Sequence, residues 1–204
     1  ETECRGRLTD LTRNRQQAMA RREALEKDVE RWAGRLQTSS TRVAALLPRR
    51  TDAARAALQN TQSYARDNGH ALAEPLHLAA VLFRDEDSIG ARVCLRTAGT
   101  DVHGIRRGIQ KALLNKAAQT PAPLEASFSS TMAKVLQKAI QLSKSKGDSL
   151  VALDHLLLAV YDDSQTAQLL QISYKDCEVA IKELRGSNPI TSASAEDNYE
   201  ALSK

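Results

Sequence analysis

The stretches LQNTQSYARDNGHALAEPLHLAAVLFRD (residues 58–85) and LQKAIQLSKSKGDSLVALDHLLLAVYDD (residues 136–163) decide the fold, because the second repeats the pattern of the first. At an offset of 78 residues, without gaps, they share seven identities in 28 positions. These are Leu58 with Leu136, Gln59 with Gln137, Gly69 with Gly147, Leu72 with Leu150, His77 with His155, Leu78 with Leu156 and Asp85 with Asp163. Phe83 against Tyr161 and Arg66 against Lys144 are near-matches. The identities fall on apolar faces and on a glycine placed to stop a helix. Self-similarity at a long period marks a duplicated supersecondary unit whose copies bury their apolar faces against each other. Two such copies predict one body with pseudo-twofold symmetry and a groove where they meet.

Outward from the first copy, the helix signals are local. Thr51 suits an N-cap, Ala54, Ala57, Leu58, Thr61 and Tyr64 line one face, and Gly69 supplies the left-handed stop. Pro75 fits the first turn of a second, short helix, where its missing N–H costs nothing. That helix, with Leu76, Leu78, Ala79, Leu82 and Phe83, is apolar enough to be buried. A third runs from about Ser88 to Ala98 and stops at Gly99; a fourth, capped by Asp101, carries Val102, Ile105, Ile109, Ala112 and Leu113 on one side. Its echo in the second copy is Cys177, Ile181 and Leu184. The predicted architecture is therefore all-α, a duplicated four-helix unit. The first repeat spans residues 51–117, a Pro- and Ala-rich linker 118–128, the second repeat 129–186 and a trailing linker 187–204.

Composition agrees. Aromatic residues make up only 3% of the 204 residues, which favours helices packed through Leu, Ile, Val and Ala over strands. The net charge of +4 is uneven: residues 1–50 hold 11 Arg and one Lys against seven acids, and the remainder is within one charge of neutral. The globular part thus offers no basic face, and nucleic acid is not an expected partner. No run approaches the ~18 apolar residues of a membrane span. Cys4, Cys94 and Cys177, odd in number and widely spaced, predict reduced thiols in a cytoplasmic compartment rather than a disulfide framework. Because the chain starts at Glu1 rather than Met, it is expected to be a piece of a longer protein, and an organellar version stays open.

Residues 8–36 carry a loose heptad, with Leu8, Leu11, Ala18, Leu25, Val29, Trp32 and Leu36 at a/d positions but Arg15 and Arg22 at a. This predicts a helical, coiled-coil-like extension, weakened by its arginines, that pairs with a partner or stands solvated. The segment from Thr38 to Arg50 breaks the pattern.

No motif for catalysis is found: GxxxxGK[ST], GxGxxG, HExxH and GxSxG are all missing. His70, His77, His103 and His155 are scattered, and a metal pair built on His77 and His155 would need two further ligands. Their equivalent repeat positions predict a structural role. The expectation is a binding module, not an enzyme, with no metal of its own.

Four segments carry a family resemblance. AEPLHL (73–78), KGDSLVALDHLLLA (146–159) and LRGSNPITS (184–192) resemble the Clp N-terminal domain, and AEDNYEALSK (195–204) resembles the stretch leading into the first ATPase domain of ClpB-type disaggregases. The resemblance covers residues 51–204. It implies a domain that docks unfolded or aggregated polypeptides for ATP-driven threading, with ATP and Mg bound only in downstream domains. It further implies a hexameric parent, a monomeric isolated domain, and a co-chaperone or adaptor as further partner. The alternative reading is an adaptor-binding scaffold without a working ATPase. By the family pattern the substrate-binding positions fall on Thr51, Leu136, Leu142, Asp148 and Asp154, with a groove built on the helix that opens the second repeat. Lys138 and His155 depart from that pattern and make the groove wetter. Each position also has a structural reading: Thr51 as a cap, Asp148 after the helix-stop glycine, Asp154 as cap of a helix from His155, and Leu136 and Leu142 as core.

Overall fold

The computed structural model describes residues 13–31, 49–186, 189–194 and 196. The chain divides into two units, Glu1–Thr38 and Ser39–Lys204. In the first, residues 13–31 form helix α1, exposed along its whole length. Surface ion pairs Arg22–Glu26 (2.8 Å) and Lys27–Glu23 (2.9 Å) lie along it, each worth about 0.3–0.5 kcal/mol. Of the heptad, Leu8, Leu11, Trp32 and Leu36 lie outside the described residues, as do the whole segment from Thr38 to Pro48 and most of the trailing linker.

The second unit is the duplicated helical body. Helices α2 (Asp52–Asp67), α3 (Pro75–Leu82), α4 (Ile89–Arg96) and α5 (Val102–Leu114) make the first repeat. Helices α6 (Ser130–Ser145), α7 (Leu153–Ala159), α8 (Ser164–Leu170) and α9 (Tyr174–Arg185) make the second, with a 3-10 turn at Val160–Asp162. The signals for the helix ends work as expected. Thr51 Oγ1 accepts from the Ala54 N–H at 3.2 Å, and Ser129 Oγ, 78 residues on, accepts from the Met132 N–H at 3.0 Å. Asp101 accepts from the His103 N–H at 2.9 Å. Gly69 and Gly147 both take φ near +75°, the left-handed stop that costs glycine no Cβ clash (φ +76° and +74°). Helix α4 ends two residues earlier than expected: Thr97 turns extended and ties its Oγ1 to the Val93 carbonyl at 3.0 Å.

The pseudo-twofold symmetry is visible in the backbone. Strand β1 (Leu72–Ala73) pairs in parallel with β2 (Ser127–Phe128), so the run-in to the second repeat docks on the first. The mate of the Ala73–Phe128 pair is the bridge Arg50–Val151, in which the run-in to the first repeat docks on the second. The Ser129 N–H donates to the Ala73 carbonyl and the Thr51 N–H to the Val151 carbonyl, both at 3.0 Å. The sequence pattern shows no strand here because each is two residues long. Helix packing follows the same symmetry: α2 meets α7 as α6 meets α3, and α4 meets α9 as α8 meets α5. The short helices α3 and α7 are buried nearly all round and form the centre of one continuous core.

Cys94 and Cys177 are buried and free. Burial pushes their thiols up to about 11 and about 12, so neither is reactive near neutral pH.

Candidate functional site

Two buried polar clusters stand at equivalent places in the repeats. His77 and His155 both sit in the first turn of the buried helix, and each ring accepts, through Nδ1, the backbone N–H three residues before it. The bonds from Glu74 N–H and from Ala152 N–H are both 3.0 Å. An accepting Nδ1 fixes the neutral tautomer with its proton on Nε2. The Nε2–H of His77 reaches His70 Nδ1 at 2.9 Å, and that of His155 reaches Asp148 Oδ2 at 2.9 Å. Burial first, then the neighbouring charges of His70 and Lys116, outweigh Glu74 and depress His77 to about 4. Burial likewise depresses His155 against the opposing pull of Asp154 and Asp148. Both histidines are structural caps.

The second cluster is the more highly charged. Arg185, at the end of α9, donates Nη1 to Asp154 Oδ2 at 3.1 Å and Nη2 to Asp148 Oδ1. Asp148 Oδ1 also accepts the Ile190 N–H at 2.7 Å, and Asp154 Oδ1 the His155 N–H at 2.8 Å. Burial raises the Asp148 carboxyl, but the Arg185 and Ile190 hydrogen bonds and the Arg185 charge hold it below the usual carboxylate range. Two acidic side chains, a guanidinium and an imidazole thus share this interior. Charges removed from water this way persist only when paired and hydrogen-bonded.

Beside the cluster, where the repeats meet, lies a cavity of about 310 Å³. Its apolar wall is Ile89 of α4, Leu153 of α7, and Ile181 and Leu184 of α9. Arg92, Asp154, Arg185, Asp87 and Glu196 add charge of both signs at its edge, and Ala53 of α2 closes one side. The junction is therefore partly open, as the duplicated pattern predicts.

The five positions suggested by resemblance separate. Asp154 lines this cavity, Asp148 joins it through Arg185, and Thr51 caps the helix that supplies Ala53. All three side chains are buried. Leu136 is 0% exposed and belongs to the core: α6 turns that face inward, and the side chain reaches no surface. Leu142 is half-buried against the core and does not line the cavity, to which α6 contributes no residue. The cavity described here lies at the seam between α4, α7 and α9 rather than on α6. The cap expected at Asp154 also moves, because α7 begins at Leu153 with Ala152 as N-cap. Sequence reasoning missed Arg185, Arg92 and Glu196. The one available signal was the pair of acids flanking His155, which, once buried, demand a cation from elsewhere.

Comparison with known proteins fits this body. The family profile of the Clp repeat (R) N-terminal domain matches residues 49–172. The chain belongs to the Clp repeat N-terminal domain family. Among curated relatives of this Clp repeat domain, heat shock protein 104 of Schizosaccharomyces pombe is 34% identical over 160 residues, 76% of this chain and 18% of that protein. Chaperone protein ClpB of Pseudomonas putida is 32% identical over 164 residues, 78% of this chain and 19% of that protein. The chain thus spans about a fifth of the length of these relatives. Among solved structures, the Hsp104 N-terminal domain from Candida albicans superposes with a TM-score of 0.65 at 27% identity, covering 72% of this chain and 98% of that one. The Clp repeat domain is a non-catalytic, all-α module. No helix among the described residues is long and apolar enough to cross a membrane.

Proposed function

We propose that this chain is the substrate-docking domain of a ClpB-type AAA+ chaperone. It holds unfolded or aggregated polypeptide at the seam cavity and hands it to ATP-driven domains elsewhere in the parent protein. The observation that carries this reading is the cavity itself, an apolar wall between two rigid half-domains with charges of both signs at its rim. Unfolded chains offer apolar side chains in no fixed arrangement. A pocket that takes one or two of them gains about 1.5–3 kcal/mol for each. Such a site binds many sequences weakly, as capture followed by release requires. In this reading Asp148, Asp154 and Thr51 act as positioning residues, holding Arg185 and the start of α2 in place. ATP and Mg belong to downstream domains, the parent assembles as a hexamer, the isolated domain is a monomer, and a co-chaperone or adaptor shares its surface. A reducing, cytoplasmic setting suits the two buried thiols.

The test is titration of the chain with reduced, carboxymethylated α-lactalbumin, an unfolded polypeptide, followed by amide chemical shifts. Shifts are expected to cluster on Ile89, Arg92, Leu153, Ile181 and Leu184. Shifts confined to α6, or none at millimolar probe, would refute the assignment.

A further inference from the structure

Residues 189–194 and Glu196 lie across the start of both repeats and are fastened at four points. The Ile190 N–H donates to Asp148 Oδ1 at 2.7 Å, and the Ser149 N–H donates to the Ile190 carbonyl at 3.0 Å. The Asp52 N–H, first in α2, donates to the Ala193 carbonyl at 2.9 Å. The Leu153 N–H, first in α7, donates to Glu196 Oε1 at 2.6 Å. Through this last contact the Glu196 side chain, 8% exposed, becomes part of the cavity lining.

The segment is thinly anchored. Among its described residues Ile190 is the one buried aliphatic side chain (2% exposed), while Thr191, Ser192, Ala193 and Ser194 are exposed. These hydrogen bonds and the Ile190 anchor are set against the entropy of ordering the stretch. The contacts it makes are also those an extended guest would seek. Its carbonyl and its carboxylate occupy first-turn N–H groups on either side of the seam, donors that have no partner inside their helices.

We propose that residues 189–194 and Glu196 form a strap, ending at the seam cavity, that competes with the client polypeptide for it. The proposal rests on the docking reading above and adds its regulation: Glu196 of the strap takes part of the cavity wall, and clients bind by displacing the chain's own linker. When the strap is fastened in about nine molecules of ten, apparent client affinity falls about tenfold.

The experiment uses the whole chain and two variants that loosen opposite ends of the strap. Glu196→Ala removes the contact at the cavity, and Ile190→Ser removes the anchor, which does not line the cavity. Circular dichroism establishes that each stays folded. Both are expected to bind carboxymethylated α-lactalbumin about tenfold more tightly than the unaltered chain. The double variant is expected to gain little more, because both changes open the same strap. Adding the probe to the unaltered chain is expected to speed hydrogen exchange at the Ile190 amide. Binding that neither variant tightens, or that Glu196→Ala weakens, overturns the strap and leaves the docking reading standing. No binding by the unaltered chain or by either variant overturns both.

Discussion

His70 and Asp148 stand at the same place in the two repeats, 78 residues apart, and each receives the Nε2–H of the histidine seven residues further on. The duplication has kept the imidazole cap and changed what lies behind it. In the first repeat two imidazole rings meet edge to face at 5.0 Å. In the second a carboxylate takes that place, and Arg185 is drawn in from the last helix to balance it. That exchange creates the charged cluster beside the seam cavity.

The two positions should therefore differ sharply in what they contribute. Asp148→Ala strips Arg185, the Ile190 N–H and His155 Nε2–H of their shared acceptor, while Asp154 still accepts from Arg185 Nη1. Loss of one partner from such a buried network is expected to cost about 3–5 kcal/mol. His70→Ala removes one imidazole–imidazole hydrogen bond, with an expected cost of about 1 kcal/mol. Urea unfolding of both variants measures the difference, and equal costs would contradict the proposed division between the two halves.

Acid should weaken the fold over a defined window. His77 has its folded pKa depressed to about 4 against an ordinary 6.5, so the unfolded chain takes up the proton first. Stability from this group is complete above pH 6.5 and drains away as the pH falls toward 4, for a total on the order of 3 kcal/mol. Protonation also destroys the Nδ1 acceptor that caps α3. Unfolding free energies at several pH values should show this slope, and His77→Gln should flatten it. A flat profile in the unaltered chain would mean that the ring is more exposed than its packing indicates.

Much of the fold could be read in advance because its signals are local and repeated. The offset of 78 predicts both buried helices, and Gly69, Gly147, Thr51 and Asp101 mark helix ends by their own backbone chemistry. The site was less legible, because its chemistry is non-local. Arg185 meets Asp148 from 37 residues away, and Glu196 meets Leu153 from 43, with no spacing rule to link them. Periodicity shows that a residue lies on an apolar face. It does not show whether that face meets the core or the seam, and Leu136 illustrates the difficulty.

Leu136 should accordingly behave as a core residue. Leu136→Ala leaves a cavity under α6 and is expected to cost about 2–5 kcal/mol of stability. At temperatures where the variant stays folded, its affinity for an unfolded polypeptide should be unchanged. A selective loss of affinity at full stability would return this position to the binding surface.

Gly90 tests whether the seam depends on how α4 sits. A Cβ at this position would come within 2.6 Å of the Phe83 ring and 2.7 Å of the Leu82 carbonyl. The absence of a side chain is what lets α4 pack so closely on the end of α3. The carbonyl cannot move aside cheaply, and Phe83 is 1% exposed, so Gly90→Ala must push α4 outward. Such overpacking is expected to cost about 1–3 kcal/mol. Because Ile89 and Arg92 ride on the same helix and line the cavity, the displacement should reshape the binding wall as well. Gly90→Ala is therefore expected to lose both stability and client affinity, whereas Leu136→Ala loses stability alone. Thermal unfolding and probe titration on the two variants separate the outcomes, and unchanged affinity in folded Gly90→Ala would show that the wall supplied by α4 contributes nothing to docking.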